Sequence, residues 1–267
     1  MHNHQPYLKP EWKTSFNEAA TEYDKLRPTY VPELYNDIIA YSGLNENNHV
    51  LEIGIGTGQA TLPILNTNCK LIAIELGSEL AERAQSNFAQ YKNFEVKNMA
   101  FEDYNCPNNT FDMVYSASAF HWIPEELGYS KVFNLLKSGG TFARFAIHPY
   151  KDKGNEPLHI AIQKVYAKYM PQIANKLRGE YSETDAQSVS NLATKYGFVD
   201  SAYKLYHRIR TFNANDYGTL ISTYSDHRAL GEAGLTSLVS EINEAINNHG
   251  GVINIYDTLS LNLARKP

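Results

Sequence analysis

At 267 residues, 43% of them hydrophobic, the chain is long enough to bury one large core and to carry an insertion. A net charge of −5 gives no electrostatic case for nucleic acid or an anionic membrane, so a small solute is the expected partner. The two cysteines, Cys69 and Cys106, make no disulfide framework, the first residues lack the apolar core of a signal peptide, and no apolar run reaches spanning length. A cytoplasmic protein is expected, as a monomer or homodimer. His2 and His4 fall in a terminal stretch that reads as frayed, and no metal site is expected.

Residues 12–43 read as an N-terminal helical cap in two pieces, broken by Arg27-Pro28-Thr29-Tyr30-Val31-Pro32. Phe16, Ala19, Ala20 and Tyr23 recur at helical spacing in the first piece, and Leu34, Ile38 and Ile39 in the second. Tyr23, Arg27 and Tyr30 converge on the turn before the core.

From Leu44 onward strands and helices alternate, the pattern of a doubly wound parallel sheet. The first strand, His49 to Ile53, runs into Gly54-Ile55-Gly56-Thr57-Gly58-Gln59-Ala60 and the helix Thr61 to Leu65. The glycines allow positive φ and close approach of a ligand at the strand's carboxyl end. A dinucleotide fingerprint would place its last glycine where this chain has Gln59, and the Glu52 carboxylate opposes a pyrophosphate while suiting a cationic ligand. The stretch resembles the first motif of the class I S-adenosylmethionine-dependent methyltransferases. Two alternatives are a nicotinamide-dependent oxidoreductase and a non-catalytic S-adenosylmethionine-binding protein.

The second strand, Cys69 to Glu75, ends on an acid roughly 20 residues beyond the turn, where ribose hydroxyls are chelated. Two charge-assisted hydrogen bonds of about 1.5–3 kcal/mol each would make Glu75 a principal affinity determinant. A helix capped by Ser78 follows to about Gln90, with Leu80, Ala81, Ala84 and Phe88 facing the sheet. The third strand is Phe94 to Lys97 and the fourth Phe111 to Tyr115, which leads into Ser116-Ala117-Ser118-Ala119-Phe120-His121-Trp122-Ile123-Pro124. His121 is the near-neutral titratable group of this loop, either a base or a packed histidine fixing the loop. The helix Glu125 to Leu136 is expected to stop at Gly139-Gly140, before a fifth strand from Thr141 to Ile147. Residues 148–182 read as an aromatic-rich helical insertion covering the cleft. A helix from Glu183 to Tyr196, an alternating strand from Val199 to Thr211, a helix capped by Asn213, a helix from Leu235 to Asn248 and a strand from Val252 to Ala264 complete the chain.

Taken together, Phe16 to Arg265 resembles a small-molecule class I methyltransferase of the trans-aconitate methyltransferase-like or ubiquinone-biosynthesis-type group. The resemblance is carried by Val50–Ala60, by Arg-Pro-x-Tyr at Arg27 to Tyr30, by Phe120-His121-Trp122, and by Thr223-Tyr224-Ser225-Asp226-His227. It implies a single Rossmann-like domain over residues 1–267. Its α/β fold would be a seven-stranded, mostly parallel sheet with an antiparallel last strand, helices on both faces and the insertion after the fifth strand. It implies S-adenosylmethionine as cofactor, held by Glu52, Gly54, Gly56, Gly58 and Glu75. Ala100 and Phe101 would lie against the adenine, Ala100 standing where many relatives carry an acid, and Ser116 beside the methionine half. Tyr23 and Arg27 would close over the reacting groups with His121, while Tyr30, Trp122, His148 and Tyr224 would line the acceptor site. The expected reaction is in-line methyl transfer to a small-molecule acceptor, with a carboxylate or hydroxyl oxygen favoured. An acceptor carboxylate would be oriented by Arg27, Arg144 or His148.

Overall fold

The computed structural model describes residues 29–150, 155–174 and 179–267. The first piece of the N-terminal cap, with Tyr23 and Arg27, lies outside them. In chain order the described elements are α1 (Pro32–Ser42), β1 (His49–Ile53), α2 (Thr61–Leu65), β2 (Lys70–Glu75), α3 (Ser78–Asn87), β3 (Phe94–Asn98) and β4 (Phe111–Ala117). There follow α4 (Glu125–Leu135), β5 (Leu136–Tyr150), α5 (Glu156–Tyr169), α6 (Glu183–Lys195), β6 (Val199–Asn213), α7 (Ala214–Ser222), α8 (Ser225–Arg228), α9 (Gly231–Asn247) and β7 (Val252–Arg265). Short 3-10 turns occupy Phe101–Asp103 and Phe120–Trp122.

The strands form one sheet of order β3-β2-β1-β4-β5-β7-β6, in which β7 alone runs against its neighbours. Successive side chains alternate between the two faces. Val50, Met113, Tyr115, Ala143, Phe145, Leu259 and Leu261 pack under α1, α2 and α3. Leu51, Ile53, Val114, Phe142 and Ala264 pack under α4 and α6.

Several boundaries differ from expectation for local reasons. Helix α4 stops at Leu135 because Leu136 is already extended (φ −73°, ψ 142°), pairing with Phe111 across a register shift. The stop is therefore strand pairing, and the glycines fall inside β5. Gly77 takes the cap position expected for Ser78, with no side-chain cap. Asn213 does cap α7, accepting from Asp216 N–H at 2.9 Å. Strand β5 extends to Tyr150, so His148 lies on a strand, and the helical part of the insertion begins at Glu156.

Strands β5, β6 and β7 have 15, 15 and 14 residues, against 5 to 7 for β1 to β4. Their surplus length projects past the carboxyl end of the parallel strands. A third core, built from α5, α7 and α9 with Phe212 and Ile253, stands on that overhang.

The apolar face under α2 holds the Glu52 carboxylate, which is fully buried. Its Oε2 accepts from Thr61 Oγ1 and Tyr115 OH, both at 2.7 Å, while Oε1 has no partner. Burial pushes this carboxyl up from 4.5 to about 7, against the lowering effect of the two hydroxyl donors. The folded chain then holds a proton that the unfolded chain has released, so stability falls as pH rises from about 4.5 to 7. Urea unfolding of the cofactor-free protein at pH 5 and pH 8 checks this. Glu52→Gln is expected to gain roughly 2–3 kcal/mol on the wild type between those values. A gap that does not move with pH refutes the raised value.

Candidate active site

The chain leaves β1 in a turn tied to the end of β2. Gly54 N–H and Ile55 N–H both donate to Ile74 O, at 2.9 and 3.2 Å. Gly56 N–H then donates to Glu75 Oε2 and Gly77 N–H to Glu75 Oε1, each at 2.9 Å. One carboxylate thus fastens both loops that leave the sheet, and each oxygen retains acceptor capacity. Burial raises the Glu75 carboxyl, opposed by these backbone donors. The turn accepts no side chain at two of its glycines. A Cβ on Gly54 (φ +71°) would meet Ala119 Cβ at 2.4 Å, and one on Gly58 (φ +102°) would meet the Phe88 ring at 2.2 Å. Asn87 Nδ2 holds Thr57 O at 3.0 Å, anchoring the far side of the turn to α3.

Glu52 lies beneath this turn, within electrostatic range of Glu75. Two buried acids, one with an orphaned oxygen, stand together at the ends of β1 and β2, where they call for positive charge and further donors. A ligand with ribose hydroxyls and a cationic group meets both needs. The residues present therefore fit S-adenosylmethionine.

At the end of β3, Met99 N–H donates to Glu75 O at 2.9 Å, placing Ala100 beside the second strand. The Phe101 ring differs from expectation. It is 3% exposed, packed in the core under α4 with Lys131 Nζ 5.1 Å from its centroid, so only the Phe101 backbone is available to a ligand. Ser116 is buried, and its Oγ donates to Ile53 O at 2.9 Å, joining β4 to β1. Ser118, at φ +54°, turns the chain toward Phe120-His121-Trp122. Its Oγ is 2.7 Å from Tyr30 OH, and the Tyr30 ring packs edge-on against Phe145 at 4.7 Å. Tyr30 is thereby brought to the β4 exit. His121 is exposed, with its ring 5.2 Å from Trp122.

Other expected residues are not gathered here. His148 lies on the face of β5 opposite Phe145, stacked on Tyr181 at 3.7 Å, with Nε2 2.8 Å from Ser260 Oγ. Arg144, on that same face, sits over the rings of Phe120 and Tyr129 and bonds Tyr129 OH. Tyr224 belongs to the third core, 5.4 Å from the His227 ring; His227 bonds Tyr166 OH at 3.0 Å and Asp226 Oδ1 at 2.7 Å. Thr61, Phe88, Tyr115 and Ser118 shape the site without having been expected there. Their signal is faint, since each reads as an ordinary helix-start, core or loop residue. Among the described residues no group of three or more His, Cys, Asp or Glu is placed to hold a metal ion.

Residues 50–140, which span the turn, Glu75 and the β4 exit, match the sequence model of a methyltransferase domain family. The chain is 30% identical over 172 residues to a Saccharomyces cerevisiae protein named "Probable S-adenosylmethionine-dependent methyltransferase CRG1", covering 61% of this chain and 59% of that one. It is 22% identical over 233 residues to an uncharacterised methyltransferase of Schizosaccharomyces pombe, covering 87% of both. In fold it resembles phosphoethanolamine N-methyltransferase 2 of Haemonchus contortus, solved with S-adenosyl-L-methionine. The TM-score is 0.54 at 14% identity, over 96% of this chain and 57% of that one. In place of the last dinucleotide glycine, Gln59 turns its amide onto Thr57 Oγ1, which sets aside the nicotinamide alternative. The matched domain and the named relatives together support an S-adenosylmethionine-dependent methyltransferase, an enzyme with S-adenosylmethionine as its cofactor.

Proposed function

We propose that the enzyme methylates an oxygen, carboxylate or hydroxyl, of a small-molecule acceptor by in-line displacement. The observation that supports a small acceptor is the pair of walls that flank the β4 exit. Tyr30 bonds Ser118 on one side, and the β5–β7 overhang with its helical cap rises on the other. Such walls suit a small acceptor and leave little room for a polymer, and the net charge of −5 opposes nucleic acid. Among the described residues no helix is long and apolar enough to cross a membrane. We read the enzyme as cytoplasmic, a monomer or homodimer, with residues 1–267 forming one domain and both 12–43 and 148–182 serving to cover the cleft.

S-adenosylmethionine supplies a methyl group already activated on sulfonium, so positioning carries most of the acceleration, for which about 7–11 kcal/mol is available. In this reading Glu75 takes the ribose hydroxyls on its spare lone pairs. Gly54, Gly56 and Gly58 let the backbone approach, and the orphaned oxygen of Glu52 faces the cationic end. Ala100 and the Phe101 backbone border the adenine, while Ser116 keeps the β4 exit in register with β1. Tyr23, Arg27 and Tyr30 exclude water over the reacting groups, with Trp122, His148 and Tyr224 on the acceptor side. His121 removes the proton where the acceptor is a hydroxyl.

Incubation with panels of small carboxylic acids and of hydroxyl compounds, read by S-adenosylhomocysteine release, tests the reaction. A methyl ester is then recognised by its hydrolysis in mild base, which an ether survives. Release with amines alone would overturn oxygen methylation. Glu75→Ala is expected to weaken S-adenosylhomocysteine binding at least about tenfold by calorimetry, and an unchanged affinity removes the ribose assignment. With a hydroxyl acceptor, His121→Ala should lower kcat by about 10²–10⁴ and flatten the acidic limb of the pH profile. Near-full activity at every pH would leave His121 a packing residue.

A further inference from the structure

Arg208 and Arg210 lie two residues apart on β6, hence on one face, with Asp257 of β7 directly across from Arg208. Asp257 is fully buried. It accepts from Arg208 Nη2 at 3.0 Å and from Arg210 Nε and Nη2 at 2.6 and 2.9 Å. Arg208 Nη1 donates to Thr29 O at 2.6 Å. Arg210 Nη1 is buried and has no acceptor. Two permanently charged guanidiniums thus meet one carboxylate, leaving a net charge of +1 and a buried donor unused. Such a donor is costly unless something binds it, and an anion answers both the charge and the hydrogen bond.

The cluster is placed to meet an acceptor. Asp257 shares its strand face with Leu259 and Leu261, the face on which Phe145 packs against Tyr30. Counting along and across the strands of a flat sheet, Asp257 would lie about 14 Å from Ser118 and Arg210, two residues further along and one strand further out, about 22 Å. Thr29, which Arg208 holds, immediately precedes Tyr30, whose hydroxyl bonds Ser118. On its other side Arg210 lies 5.3 Å from the Phe212 ring centroid, and Phe212 in turn lies 6.2 Å from the ring of Tyr217 in the cap. The guanidinium therefore stands between the wall that carries Tyr30 and the helical cap.

We propose that Arg210, oriented by Asp257 and backed by Arg208, holds an oxyanion of the acceptor at a point remote from the atom that is methylated. The acceptor is then a small anion, a carboxylate or a phosphomonoester, whose anchoring group is not the methylated one. This rests on the methyl-transfer reading. Where the acceptor is methylated on a carboxylate, it carries a second acidic group.

The test is calorimetric titration of the full chain, saturated with S-adenosylhomocysteine at constant ionic strength, using malonate in one arm and inorganic phosphate in the other. At least one anion should bind saturably, at least about tenfold more weakly in Arg210→Ala, with partial recovery in Arg210→Lys. The arm that responds identifies carboxylate or phosphate as the anchoring chemistry. S-adenosylhomocysteine should bind the wild type and both variants alike, which also shows that they fold; Arg210→Gln serves if the alanine variant does not. Equal anion binding by wild type and variant overturns the proposal, as does no saturable binding of either anion to a wild type that binds S-adenosylhomocysteine. A wild type that fails to bind S-adenosylhomocysteine instead sinks the methyl-transfer reading beneath it.

Discussion

The site depends on the carboxylate of Glu75. Its two oxygens accept from Gly56 and Gly77, so one side chain fastens the loops leaving both β1 and β2. Met99 N–H and Asn98 Nδ2 both bond Glu75 O, carrying the same residue's influence to the end of β3. Backbone donors offset part of the desolvation cost of burying this acid. The glycine turn is therefore a preformed cradle.

Glu52 has the opposite character. Its partners are hydroxyls from the core side, Thr61 and Tyr115, and half of its acceptor capacity is unused. An acid pushed up to about 7 beneath a second acid resists ionisation while the cleft holds no cation. In the proposed reading a sulfonium or ammonium group above it would reverse that balance, because an opposite charge at close range favours the ionised form. Cofactor binding and the protonation of Glu52 would then be coupled.

Much of the parallel half was legible because its signals are local. The strand ends at Ile53 and Glu75, the glycines and the helix Thr61–Leu65 follow from residue type and position alone, and the structure places them where expected. What was not legible depends on which face a side chain takes. Arg144 and His148 read as cleft residues because they are polar and sit near a strand's carboxyl end. Strand alternation, together with the extension of β5 to Tyr150, turns both away from Phe145 and onto Tyr129 and Tyr181. Phe101 read as an adenine contact but is drawn into the core under α4, where an aromatic ring gains more by burial than at a loop surface. The Arg208–Asp257–Arg210 group joins residues nearly fifty positions apart, and only the β6–β7 register reveals it.

The sheet divides the labour by strand direction and length. The short parallel strands end together, and the loops at their ends form a surface suited to one cofactor. β7 enters from the opposite direction, so it and its two long neighbours rise past that surface as a wall without interrupting it. In the proposed reading, a side chain on the wall meets an acceptor that projects above the cofactor cradle. Changes on the overhang and its cap can therefore alter acceptor choice while Glu52, Glu75 and the glycine turn stay fixed. On that reading the parallel half sets the methyl donor, and the antiparallel overhang sets what receives the methyl group.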